Sequence, residues 1–439
     1  MAAAVLRPEK NMKPRNRITR FFRRRLTGLW RVADFRRLWM SLTLTAFGAQ
    51  ITNLALPLTA ALLLHATPLQ MGILVALETL PFALVSLHAG VLLDRVRKLP
   101  IVILTDVSRA LALLAIPVCA WRGVLSVEVL YVVGFFCGVQ NVVGGAAYQV
   151  LIAQMAGRER LVEANAKLTL GETSSALVGP GLAGGLIQLV TAPFAIAVDA
   201  LGFLVSALML RTLKVPHDVV PPRHARRSVG AEIREGLALV FGNETLRSLG
   251  LVAGAWQVLH HMQIAVLILF ATRELNLSAG AIGMAYMAGG VGCVIAASLA
   301  ERLSHRFGVG AAIVYGLLLT AFGWQAFGLI GGPPGMATLL LGGAMLLFDF
   351  GAVLYAINYL ALRQALTPDR LLGRMTATMR FVTVAAAPLG SLAGGALATG
   401  IGLRHTLWVV GSLGIVLSIA AMRFSPVRFH RRLPAIAAD

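Results

Sequence analysis

The stretch MGILVALETLPFALVSLHAGVLLDRVRK, running from Met71 to Lys98, decides the fold. From Met71 to Leu93 its only acid is Glu78, and the run is long enough to cross the roughly 30 Å hydrocarbon core of a bilayer as one helix. It ends in Asp94, Arg95, Arg97 and Lys98. An apolar run closed by a short basic loop is the pattern of a transmembrane helix emerging at the membrane surface that favours positive charge.

Outward from this stretch the pattern repeats along the chain. Of 439 residues, 57% are hydrophobic and 13% charged, with a mean hydropathy of +0.78. An ordinary soluble domain carries about a quarter charged residues, so a water-soluble fold is excluded. Helices are expected at 36–64, 69–94, 100–121, 125–154, 164–190 and 193–213, then at 246–271, 279–301, 309–330, 336–362, 375–400 and 404–424. The expected organisation is a basic segment (1–35), a six-helix bundle (36–213), a linker (214–245), a second six-helix bundle (246–424) and a tail (425–439). The linker holds Pro216, Pro221 and Pro222 beside Arg223, Arg226 and Arg227. The expected fold class is all-α, a polytopic membrane protein with twelve transmembrane helices in two pseudo-symmetric six-helix bundles.

A formal charge of +20 would point to nucleic acid if the bases formed one patch. They are instead spread over alternate loops. Of the 39 Lys and Arg, all but Arg109, Arg122, Arg273 and Arg404 lie in the N-terminal segment or in the loops and helix ends on its side. This is the positive-inside distribution. Both termini are therefore expected in the cytoplasm of a cell of bacterial type, in a multi-pass inner-membrane protein, and nucleic acid is not an expected partner. Phe21, Phe22, Leu26, Leu29 and Trp30 interleave with arginines, which fits either an interfacial helix on anionic lipid or a basic tail. The first apolar run starts only after Arg37 and is too long for the core of a cleavable signal, so it reads as the first span. Cys119, Cys137 and Cys293 match no metal or disulfide spacing and read as small packing residues.

The two halves resemble each other at an offset near 208. Asp94-Arg95 corresponds to Glu301-Arg302, Pro180 to Pro388, and Gln154 with Arg160-Leu161 to Gln364 with Arg370-Leu371, each at the matching helix number. Such internal repeats are common in secondary transporters.

Gly90, Asp94, Arg95, Arg97 and Lys98 together look like the signature motif of the major facilitator superfamily. Glycine allows close helix approach, the acid can accept hydrogen bonds from a neighbouring helix start, and the bases anchor the loop in headgroups, so the group reads as a gating latch. On the fifth helix, Gly171, Gly179, Pro180, Gly181, Gly184 and Gly185 are similar to the glycine-proline motif of the superfamily's antiporters, although three residues rather than two separate Pro180 from Gly184. Proline interrupts the helical hydrogen-bond ladder, so a bend there can serve rocking between access states; tight packing is the plainer reading. Further stretches resemble the enterobactin-exporter and macrolide-efflux branch: Asp34-Phe-Arg-Arg-Leu-Trp39, Glu78-Thr-Leu-Pro-Phe82, Asp199-Ala-Leu-Gly-Phe203 and Ile233-Arg-Glu-Gly236. The resemblance implies a drug:proton antiporter type of transporter.

Ionisable groups inside a bilayer are costly and usually functional or paired. Glu78, Glu172, Asp349, His260 and His261 are the candidates for proton or substrate binding. Asp106 and Arg109, three apart on one helix face, read as a mutually neutralising pair, and Asp199 as reaching towards a helix end or headgroups. The superfamily's cavity is lined by helices one, four, seven and ten; by that resemblance Gln50, Asn53, Gln140, Asn141, Gln257 and Asn358 are candidate lining residues. Trp256 and Tyr148 could stack on an aromatic substrate, or simply pack. The expected function is proton-coupled efflux of a drug-like, amphipathic or siderophore-type small molecule by alternating access. Facilitated uptake and a non-transporting scaffold are the alternatives. The sequence carries no phosphate-cradling loop, HExxH or GxSxG, so neither an enzyme nor a cofactor nor a metal is expected. Substrate, protons and membrane lipid are the expected partners.

Overall fold

A bilayer supplies no water to backbone N–H and C=O groups, so a spanning chain must satisfy them within helices. The computed structural model describes residues 28–93, 96–215, 229–368 and 371–433, and among these it contains helices and no strands. Twelve helices are long and apolar enough to cross a membrane. They are α1 (Ala33–Leu63), α2 (Pro68–Leu93), α3 (Lys98–Trp121), α4 (Val127–Ala156), α5 (Leu161–Val190) and α6 (Ala192–Arg211) in the first half. The second half contains α7 (Glu244–Arg273), α8 (Ala279–Phe307), α9 (Val309–Leu329), α10 (Pro334–Ala365), α11 (Leu372–Ile401) and α12 (Leu403–Phe424). Asp94 and Arg95 of the latch motif, the segment 1–27, linker residues 216–228, Arg370 and the tail 434–439 lie outside the described residues. Gly90 lies within α2, Arg97 is the exposed residue before α3, and Lys98 is buried at the start of α3.

Two elements differ from the sequence expectation. The linker contains a helix, Val229–Gly242, because its Leu239 and Val240 find an apolar seat against Met375 and Met379 of α11 and Leu246 and Leu249 of α7. Arg374 pairs with Glu235 at 2.5 Å on the same contact. Secondly, α11 is two helices, Leu372–Val384 and Ala387–Ile401, with a turn at Ala385 and Ala386. Pro388 has no N–H to bond back into the preceding turn, so the break falls just before it. Pro180, its counterpart, sits inside an unbroken α5.

Polarity is arranged inside out. Leu104, Leu111 and Leu339 stand 62%, 62% and 78% exposed on the helix surfaces, whereas Ser41, Asp106, Asp199 and Ser206 are buried. That distribution suits a surface solvated by acyl chains, since the apolar solvent rewards no apolar core.

Within each half the spans pack on one another, and the halves meet chiefly along two seams, α5 on α8 and α2 on α11, with α2 also touching α7. Both seams are built on glycine. A Cβ added to Gly184 would lie 3.0 Å from the Gly283 Cα, and one added to Gly72 would lie 3.1 Å from the Gly395 Cα. Backbones this close gain dispersion contacts that side chains would prevent. The same helices use other glycines within their own half: Gly171 and Gly179 face Thr43 and Gln50 of α1, while Gly390 and Gly394 face Val258 and Met262 of α7. The seam residues lie towards the face opposite Ala33 and Phe424. There Arg273 of α7 also donates to the Ala66 carbonyl at 2.7 Å. The molecule is thus closed on this far face.

Candidate functional site

On the face that carries Ala33 and Phe424, cavities open between the spans, and two of them adjoin. One, of about 330 Å³, is lined by α1, α3, α4 and α5 with Phe203 of α6, and includes Asn53, Asp106, Arg109, Gln140, Asn141, Tyr148 and Glu172. The other, of about 350 Å³, lies between α2, α4 and the first segment of α11. Asn141 and Gly145 line both, so the cavity inside the first half adjoins the cleft between the halves. Arg380 of α11 reaches across it to lie 5.2 Å from the centre of the Phe82 ring.

The first cavity brings together four sequence candidates, Asn53, Gln140, Asn141 and Glu172. Glu172 is exposed to it. Gln140 donates to the Ser108 hydroxyl at 2.9 Å, leaving its carbonyl oxygen buried without a donor. Asp106 and Arg109 do not form the expected pair: no ion contact within 4.0 Å joins them. Arg109 instead donates to the Asn141 side-chain oxygen, with its guanidinium 4.7 Å from the centre of the Phe203 ring. Its Nε is buried without an acceptor. Asp106 receives hydrogen bonds from Ser206 at 2.5 Å and Tyr148 at 3.1 Å. The physical reason is that helix spacing of three brings two side chains to one face without fixing where their ends go; partners on α4 and α6 decide that.

Asp199 does not reach headgroups. It is wholly buried, accepting a hydrogen bond from Thr52 of α1, and Gly48 one turn earlier leaves the space its carboxyl group fills. Its Oδ1 has no donor.

The remaining candidates are spread out. Glu78 is half-buried on α2, its side chain packed towards Gly134 of α4. Gln50 packs at Gly179. In the second half, His260 stacks between Trp256 (ring centres 4.8 Å) and Phe348 (5.5 Å), and His261 Nδ1 lies 2.9 Å from the Gln257 carbonyl oxygen. Asn358 is buried and ties α10 to α8 by accepting from Ser304 at 2.6 Å. Asp349 is half-buried on α10 opposite Gly289 of α8. No described residue gives it a hydrogen bond or ion pair. Among the described residues no cluster of three His, Cys, Asp or Glu could hold a metal.

Sequence reasoning passed over Ser41, Thr52 and Ser206, quoted Phe203 only within a stretch of resemblance, and treated Tyr148 only as a stacking surface. Ser206 lies seven residues after Asp199, two turns along the same face; that spacing was the available signal. Nothing in the sequence announced Arg380 as a cleft residue.

The profile of a family described as transmembrane secretion effector matches residues 28–437. The multidrug efflux pump Tap of Mycolicibacterium fortuitum is 27% identical over 368 residues, covering 82% of this chain and 88% of its own. The enterobactin exporter EntS of Escherichia coli is 26% identical over 405 residues, covering 89% and 93%. Among solved structures, a bacterial homologue of the iron transporter ferroportin in an inward-facing state superposes with a TM-score of 0.70 at 17% identity, covering 90% of this chain and all of that one. The nucleoside transporter NupG does so with a TM-score of 0.64 at 14% identity, covering 89% and 98%. At such identities the structural likeness speaks for the fold, and the family match for the rest. The chain belongs to the transmembrane secretion effector family of the major facilitator superfamily, and is a multi-pass membrane transporter rather than an enzyme.

Proposed function

We propose that the protein exports an amphipathic small molecule of drug or siderophore type from the cytoplasm, by alternating access, in exchange for protons. The observation that carries this reading is a pair of adjoining cavities, one in the first half with polar α3, α4 and α5 walls and one between the halves, open on the terminal face and closed by glycine seams on the other. With both termini in the cytoplasm, as the positive-inside distribution implies, the cleft loads from inside. The names of the efflux pump and the exporter above support outward transport. Glu172, on the cavity wall, and Asp349, half-buried without a donor, are the candidate carboxylates for substrate or proton that the geometry favours. Glu78 is a further one, whereas His260 and His261 are engaged in packing and backbone contact. Pro180 and its flanking glycines would let α5 slide on α8 as the halves rock.

The test is reconstitution of the full chain in liposomes with ethidium as an amphipathic probe and an imposed pH gradient. Ethidium should move against its own gradient, and Glu172→Gln or Asp349→Asn should reduce that movement. Movement only down the ethidium gradient, indifferent to pH, would make the protein a uniporter. Normal driven transport by both variants would remove these two residues from the mechanism.

A further inference from the structure

We propose that Asp106 binds the transported proton, and that Arg109 passes from Asn141 to the ionised Asp106 when that proton leaves. This rests on the proton-coupled reading above and names the group within that cavity.

Asp106 lines the cavity yet is only 3% exposed. Both of its hydrogen bonds end on Oδ2, from Ser206 and Tyr148, and Oδ1 receives none. Ser206 in turn shares a hydrogen bond of 2.6 Å with Ser41. A carboxyl group set in a chain of hydroxyls can exist in either state, because each hydroxyl can donate or accept by rotating. The chain Ser41, Ser206, Asp106 and Tyr148 joins α1, α6, α3 and α4, so a charge change at Asp106 is felt by four helices.

Arg109 explains why the present arrangement is one of two. Its guanidinium is bonded to a neutral amide while a carboxyl group stands three residues away on the same helix face. The bond to Asn141 already has a charged donor, but an ionised carboxylate adds charge–charge attraction to such a bond, and that advantage grows where the surroundings are poor in water. An ionised Asp106 would therefore draw Arg109 away from Asn141. In this proposal the arrangement with Arg109 on Asn141 is the proton-loaded one. Around Asp106 the titratable and charged side chains are Tyr148 on α4, Arg109 on α3 and Glu172 on the α5 wall, while α1 and α6 present the hydroxyls of Ser41 and Ser206. Glu78 on α2 and Asp199 on α6 also lie within charge range of Arg109.

The step is a simple proton transfer. The Asp106 carboxyl O–H breaks, the proton passes to cavity water, and the carboxylate takes the Arg109 donors that Asn141 held. Asn141 lines both cavities, so its freed amide is presented to the cleft as the proton departs. Proton and substrate are then linked through one arginine with two alternative partners.

Infrared difference spectra of the full-length protein in liposomes, recorded between acid and alkaline pH, test this without any substrate. The carbonyl stretch of a protonated carboxyl group should disappear as pH rises in the wild type, be missing in Asp106→Asn, and shift in frequency in Asp106→Glu. Ser206→Ala, which removes a hydrogen bond from Oδ2 while keeping the acid, should shift the same band and serves if Asp106→Asn does not fold. A band unchanged in every variant overturns the proposal. In the ethidium assay, Asp106→Asn should lose gradient-driven movement; full driven transport by this variant also overturns the proposal. If the wild type moves no ethidium at all, the export reading fails for this probe while the infrared result still decides Asp106.

Discussion

Gly48 shows how a single missing side chain shapes the buried polar layer. Its position on α1 leaves room for the Asp199 carboxyl group, and a Cβ there would overlap Oδ1 and lie 2.9 Å from Cγ. Both partners are buried inside helix packing, so neither can swing aside. Gly48→Ala should cost about 1–3 kcal/mol, the usual range for overpacking a tight interior, and lower the thermal midpoint of the purified protein. Gly185→Ala is the control, since a Cβ there meets nothing within 4 Å, and it should not lower the midpoint. At this scale the sequence was only half legible. It showed that Asp106, Arg109, Glu172 and Asp199 are sunk in spans, because hydropathy sets depth. It could not show partners: Asp106 meets Ser206 and Tyr148 from residues 100 and 42 positions away, and only helix rotation and packing settle such meetings.

The seam between α5 and α8 carries the next argument. Gly283 sits with its absent side chain directed at the Pro180 carbonyl and 3.0 Å from the Gly184 Cα, so the closed far face depends on two backbones touching. Gly283→Val places two methyl groups in that contact. An overpacking cost of about 1–3 kcal/mol falls on this arrangement and not on one in which α5 and α8 have parted, which corresponds to a shift of about 5- to 150-fold in their ratio. Spin labels on Val124→Cys and Gly331→Cys, in far-face loops of the two halves, should report a longer separation in Gly283→Val than in its absence. Unchanged separations would show that the seam does not set the balance between states. The helices themselves were readable from apolar run length, and Pro180 and Pro388 were readable as a repeated pair. Their different outcomes, an intact α5 and a broken α11, were not, because the break depends on how neighbouring helices support the freed backbone groups. The linker helix Val229–Gly242 was missed since its apolar side chains make sense only once α7 and α11 are placed beside them.

Across the whole molecule, orientation follows from charge. Arg122, Arg273 and Arg404 are the far-face bases, and two of them are engaged locally: Arg273 with the Ala66 carbonyl, and Arg404 with Glu274 at 3.1 Å and with the Gly328 and Ile330 carbonyls. The terminal face instead carries bases in the N-terminal segment and at the ends of every helix pair, each worth about 1 kcal/mol of attraction to an anionic cytoplasmic leaflet. Reversing the molecule would forfeit many such terms together and require the Arg-rich N-terminal segment to cross the bilayer. A fluorescent protein fused after Asp439 should therefore be bright and alkaline phosphatase at the same point inactive, while phosphatase inserted at Gly123 should be active. The opposite result would turn the cleft outward. The polar cavity at Arg109 and Glu172 would then load from outside the cell, and the same geometry would describe an importer.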